Sequence, residues 1–232
     1  MSAGRWALYF APESGSDLAR VGAAILGRDA ESGQDLAQPA LPGILPERFA
    51  QITASPRRYG LHATLKAPFR LAPGRDAAGL SEALQRFAAR TPAVDLPGLR
   101  LERLGFFLAL VPAVAFPAIR VLAAACVAEF DGFRAPAPPE ELDRRRAAGL
   151  TPGQEAMLQR WGYPFVMDEF QFHISLTGII RDSGEREQVR FGLEALTQEA
   201  CHRPVSIDSL CLFRQDAPDA AFRLVERAPL RG

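Results

Sequence analysis

Short stretches in which apolar residues alternate with polar ones, or run unbroken for a few positions, read as strands. They cover residues 5–11 (RWALYFA), 61–71, 94–104, 106–111, 169–178, 205–214 and 221–229. Between them the apolar period changes to that of a helix. Helices are predicted over 14–27, with Ser14 or Ser16 as cap and Gly27 as stop, and over 46–54, with Pro46 in the first turn. A third, over 76–90, carries Leu80, Leu84 and Phe87 on one stripe. Further helices are predicted over 117–130, 140–148, 152–161 and 185–201. Residues 28–45 are rich in Gly, Pro and Gln, have no clear period and read as a loop. The Pro-rich run 131–139 (DGFRAPAPP) is the best lobe boundary in what otherwise reads as one domain over 1–232.

The order of elements recurs. HATLKAPF, SEALQRFAAR, VDLPGLRLERL and FFLALVP match in kind HISLTGII, EREQVRFGLEAL, VSIDSLCLFR and AFRLVERAP. Each set reads strand, helix, strand, strand, which is a repeat of elements rather than of identities. Such an order favours antiparallel or mixed sheets with helices on the outside, an α+β arrangement. A pseudo-twofold between the two units would bring equivalent strands together over a central groove.

Both first strands open on a histidine. The chain has three histidines, and two of them stand in the phrases His62-Ala63-Thr64-Leu65 and His173-Ile174-Ser175-Leu176. A strand repeats every two residues, so His62 and Thr64 share one face, as do His173 and Ser175. Two imidazoles across one groove can remove a proton from an attacking oxygen and give one to a leaving oxygen, which is what phosphodiester cleavage requires near neutral pH. Hydroxyls beside them can donate to non-bridging phosphate oxygens as charge builds up. No cofactor and no metal is needed.

Taken alone, a histidine on a strand is more often structural, and H-x-[ST]-L is a short pattern. Two matches in equivalent slots of a repeat, using two of three histidines, reverse that weighting. His202, at a helix end beside Arg203-Pro204, reads as a capping residue.

Composition narrows the partners. Lys and Arg number 27 against 27 Asp and Glu, so the formal net charge is zero and broad nucleic-acid or membrane-surface binding is disfavoured. A small-molecule phosphate ester is the expected ligand; an RNA end is less favoured. Cys126, Cys201 and Cys211 form neither a disulfide framework nor a metal knuckle. The first residues show no leader-like apolar stretch, and no run is long enough to span a membrane. The expectation is a cytoplasmic protein with reduced thiols; its oligomeric state is not legible.

Lys66, the only lysine, is the next residue on the His62 face and either adds positive charge at the phosphate or reaches solvent. Arg58 and Tyr59 line the groove mouth, Tyr59 stacking on a base or sugar, or else form a solvated turn after Pro56. Tyr9 and Tyr163 are similar cases. Arg144-Arg145-Arg146, among Glu140, Glu141 and Asp143, read as a solvated helix face. Two other functions compete: a phosphate-ligand sensor that binds without turnover, and a metal site on both histidines. The second lacks a third ligand at useful spacing.

These residues resemble the two-histidine phosphoesterase superfamily, whose mark is a doubled H-x-[ST]-hydrophobic motif. The segments RYGLHATLKAPF (58–69), FLAL (107–110), FRAP (133–136), WGYP (161–164) and FQFH (170–173) resemble one uncharacterised bacterial branch, often encoded beside carbon–phosphorus lyase genes of phosphonate use. The resemblance spans nearly the whole chain. It implies a bilobal, duplicated α+β fold, His62 and His173 as the acid–base pair, Thr64 and Ser175 as phosphate ligands, and a metal-independent cyclic phosphodiesterase activity.

Overall fold

A computed structural model describes residues 4–147 and 149–232; the readings that fall on Met1–Ala3 and Ala148 lie outside the described residues. In chain order, β1 (Arg5–Phe10) leads into α1 (Asp17–Leu26) and α2 (Pro46–Arg57). The first repeat follows as β2 (Ala63–Phe69), α3 (Ala77–Ala88), β3 (Val94–Leu96), β4 (Leu99–Leu104) and β5 (Phe107–Pro112). Then come α4 (Pro117–Glu129), α5 (Pro139–Arg146) and α6 (Pro152–Trp161). The second repeat is β6 (Ile174–Ser175), α7 (Ser183–Cys201), β7 (Val205–Ile207), β8 (Ser209–Gln215) and β9 (Arg223–Pro229).

The fold is α+β. Seven strands form one sheet in the order β4-β5-β6-β2-β1-β8-β9, and β3 pairs with β7 in a second, two-stranded sheet. Every pairing between named strands is antiparallel. Equivalent strands of the two repeats meet, β2 with β6 and β3 with β7, as a pseudo-twofold requires. The repeats interleave: the hairpin β4–β5 of the first flanks β6 of the second, while β8–β9 of the second lies beyond β1 next to β2. Among the described residues, no helix is long and apolar enough to cross a membrane.

Each face of the sheet has its own packing. Trp6, Leu8 and Phe10 on β1, Ala63 and Leu65 on β2, and Ile174 with Leu176 join the main core with Leu18, Ile52, Leu84, Leu122 and Leu193 from the helices. Ala7 and Tyr9 point the other way and pack with Phe213, Phe222 and Tyr59 in a smaller cluster. Burial on both faces explains why β1 reads as a continuous apolar run rather than an alternation.

Two predicted strands come out differently. The span 94–104 breaks at Pro97-Gly98 into β3 and β4. Pro97 lacks a ladder donor, and Gly98, at φ 155°, leaves no room for a Cβ against the Cys201 carbonyl. The second histidine strand, expected over 169–178, is regular only at Ile174–Ser175. The amides of Leu176 and Thr177 both donate to the Leu108 carbonyl, and the Gly178 amide turns away to the Ile52 carbonyl, so the ladder ends there.

Candidate functional site

The start of β2 is set by one glycine. Gly60 closes the turn after α2 at φ 78°, and an added Cβ would collide with Ala30. Its carbonyl accepts from His62 Nδ1 at 2.9 Å. In the second repeat, His173 Nδ1 donates in the same way to the carbonyl of Gln171, also at 2.9 Å. A carbonyl oxygen only accepts, so each neutral ring carries its proton on Nδ1 and presents Nε2 as a free lone pair.

Ala63 of β2 pairs with Ile174 of β6. Continuing that antiparallel register one residue each way sets His62 opposite Ser175 and Thr64 opposite His173. Opposite residues share a face, so the four side chains form a two-by-two array, with the histidines on one diagonal, where strand neighbours lie about 7–8 Å apart. A phosphate fits between rings so placed. All four residues line one groove of about 510 Å³, which is the size range of small-molecule sites. Neither hydroxyl of Thr64 and Ser175 bonds to another described residue, so both are available to a ligand.

His62 sits in an aromatic pocket. Its ring centroid lies 4.0 Å from Tyr9 and 5.6 Å from Tyr59, which stacks in turn on Phe222 at 5.0 Å. Burial pushes the His62 pKa down to about 4; the Gly60 hydrogen bond opposes the shift and the nearby His173 adds to it. His173 has one aromatic neighbour, Phe107, at 5.8 Å.

Two expectations need correction. Lys66 does not share the His62 face. Along β1 the step from Leu8 to Tyr9 is one residue, whereas their partners on β2, Lys66 and Thr64, are two apart. This bulge at Leu65 reverses the phase of the strand, so Ala67 lines the groove while Lys66 turns inward. Its side chain is 3% exposed, and Nζ donates to the Val127 carbonyl at 3.0 Å, with Asp131 at 3.5 Å. Burial lowers the Lys66 pKa to about 8 against the opposing charge of Asp131. Arg58 likewise turns to the β8–β9 connection, where Nε reaches the Ala220 carbonyl at 3.4 Å, while its neighbour Tyr59 lines the groove.

Arg145, read from the sequence as part of a solvated face, also lines the groove, with its guanidinium 4.9 Å from the Tyr163 ring centre. Its spacing to Glu141 looks like any surface i,i+4 pair, so no local signal distinguished it. Arg5 is a groove residue too. The signal was present: Arg5, Ala7 and Tyr9 fall on one face of β1. Thr177, the position matching Lys66 in the second strand, uses its hydroxyl within the fold, accepting from Leu108 N and donating to Gly178 O. No Asp or Glu is among the described residues that line the groove. No three His, Cys, Asp or Glu side chains cluster to hold a metal among the described residues.

A family model described as a protein of unknown function (DUF1045) matches residues 64–223. The chain belongs to the DUF1045 family. The uncharacterised bacterial branch that the motifs resemble is this family. The matched span includes Thr64, His173 and Ser175 and begins two residues after His62. The chain is also 39% identical over 231 residues to a protein of Janthinobacterium sp. (strain Marseille) named ribose 1,5-bisphosphate phosphokinase PhnN, covering 98% of this chain and 51% of that one. A protein of the same name from Laribacter hongkongensis (strain HLHK9) is 34% identical over 220 residues, covering 95% and 50%. The chain therefore spans about half the length of these curated relatives. Solved structures similar to this DUF1045 chain include E. coli LigT complexed with 3'-AMP (13% identity, TM-score 0.45, 99% of both chains) and TT0787 of Thermus thermophilus (15% identity, TM-score 0.45, 98% of both chains). The likeness is loose, and the ligand stays with the protein that holds it.

Proposed function

We propose that this protein is a metal-independent phosphodiesterase that opens a cyclic phosphate of a small nucleotide or sugar phosphate. The observation that carries this reading is the matched pair of Nδ1–carbonyl bonds, which leaves two Nε2 atoms for one groove. In the reaction, His62 Nε2 takes a proton from water as the water oxygen bonds to phosphorus. The bond from phosphorus to the leaving sugar oxygen breaks, and His173, entering protonated, gives that oxygen its proton. A phosphomonoester and a free hydroxyl result. Thr64 and Ser175 donate to the non-bridging oxygens, where negative charge grows.

Burial favours His62 as the base, because it holds that ring neutral. A bound phosphate anion raises the ring's proton affinity when it is needed. The lack of a carboxylate among the described residues that line the groove favours an anionic ligand. The sugar phosphate in the name of the longer relatives agrees with such a ligand, and a cytoplasmic role in phosphonate use is part of this proposal.

The test is turnover of a panel of cyclic phosphates in the presence of EDTA. Hydrolysis that survives EDTA and is lost in His62→Asn and His173→Asn supports the reading. Hydrolysis abolished by EDTA and restored by one metal rules it out.

A further inference from the structure

The groove continues well past the histidines, and its far end has a different chemistry. From Thr64 its wall runs along β2 through Ala67 and Pro68 toward Phe69, which pairs with Trp6 next to Arg5. Five residues of strand span about 16 Å of backbone, but the Arg5 guanidinium turns back along this wall toward Phe222, whose ring lies 6.2 Å from Tyr9, the neighbour of His62 at 4.0 Å. Two arginines stand there. Arg5 is fixed by a 2.7 Å bond from Nε to Gln215 and lies 5.5 Å from the Phe222 ring centre. Arg145 comes from α5, and its one hydrogen bond among the described residues runs from Nη2 to Glu141 at 2.9 Å.

Glu141 is shared. Arg70, just past β2, bonds it at 2.8 Å. Burial works against ionisation of Glu141, but the hydrogen bonds from Arg145 and Arg70 outweigh it and hold its carboxyl below the usual range. One carboxylate thus serves two guanidinium groups, and no Asp or Glu among the described lining residues offsets Arg5 or Arg145 within the groove itself. Arg145 Nε is buried without a partner. A donor left unmatched is costly unless a ligand reorders the group. The guanidinium lies over the Tyr163 ring, 4.9 Å from its centre, and its planar fork matches a phosphate or carboxylate.

We infer that the arginine end of the groove, Arg145 with Arg5, binds a second anionic group of the same substrate. The substrate class is then a phosphodiester that carries a further phosphate across a sugar, not a simple nucleoside cyclic phosphate. This deepens the proposed function and rests on the same groove, but it is a statement about binding and can be tested without turnover.

The probes are adenosine 3',5'-bisphosphate and adenosine 3'-monophosphate, titrated calorimetrically into the parent, Arg145→Gln and Arg5→Gln. Two charge-assisted hydrogen bonds predict that the parent binds the bisphosphate more tightly than the monophosphate by roughly a hundredfold or more. Arg145→Gln should erase most of that preference while leaving the monophosphate's Kd unchanged. Arg5→Gln, at the other side of the same end, should reduce the preference even if Arg145→Gln fails to fold. Equal binding of the two probes by the parent, no binding of either, or a preference that survives both substitutions overturns the inference. A parent that discriminates the probes but hydrolyses no cyclic phosphate leaves the inference standing and refutes the reaction.

Discussion

Ala63 and Ile174 face each other across two antiparallel strands, although 110 residues of chain lie between them. Each follows a histidine. That single rung sets the imidazole of one motif across from the hydroxyl of the other and makes one site from two copies of a phrase.

The glycine that starts β2 controls one of the rings. Replacing Gly60 with Ala strains a left-handed backbone and drives a methyl into Ala30. The carbonyl that holds His62 moves as a result. The expected outcome is a fall in kcat of roughly tenfold or more, since catalytic groups tolerate little misplacement. Steady-state kinetics beside a circular dichroism spectrum of retained fold checks it.

The depressed His62 pKa has a sign. Unfolded, this ring takes up a proton near pH 6.5; folded, it resists protonation down to about pH 4. The neutral ring's contribution to stability is therefore complete above pH 6.5 and is lost as pH falls through about 4. His62→Gln should flatten the fall in melting temperature across that window. In the parent, the acid limb of kcat/KM should lie below pH 6.5. An acid limb at or above 6.5 would reassign the base.

Thr64→Ala and Ser175→Ala each remove one donor to the developing oxyanion. Each should lower kcat by roughly tenfold to a thousandfold with a smaller change in KM. If both single variants keep parental kcat, the hydroxyls do not touch the phosphate.

Lys66 belongs to the fold, not the groove. Lys66→Met removes a buried charge and leaves Asp131 paired with Arg134 at 2.8 Å. The unfolding free energy should change by no more than about 1–2 kcal/mol, because Asp131 keeps Arg134 as its partner and no buried charge is left uncompensated. kcat/KM should match the parent. A large rise in KM would return Lys66 to the phosphate.

Much of this was legible in the chain because the rules involved are local. Ser16 caps α1 through Ala19 N, and Gly27 ends it in a left-handed turn, where the helix signals place them. The period of two put His62 with Thr64 and His173 with Ser175. What was not legible came from partner strands. The bulge at Leu65 exists only against β1, so the same rule of two that placed Thr64 misplaced Lys66. Arg145 carries an ordinary surface pattern and becomes a groove residue only because the segment after residue 131 folds back along β2, with Ala135 N on the Arg70 carbonyl. The i−2 carbonyl bonds of the two rings depend on backbone geometry that two-residue motifs do not encode.

The most direct test observes the rings themselves. Long-range proton–nitrogen imidazole spectra, recorded at neutral pH and titrated with inorganic phosphate, report both tautomer and ligand contact. The account predicts that both His62 and His173 carry a proton on Nδ1, and that the Nε2 resonances of both rings shift together with one binding constant. A ring neutral with its proton on Nε2, or a titration in which only one histidine responds, would contradict it.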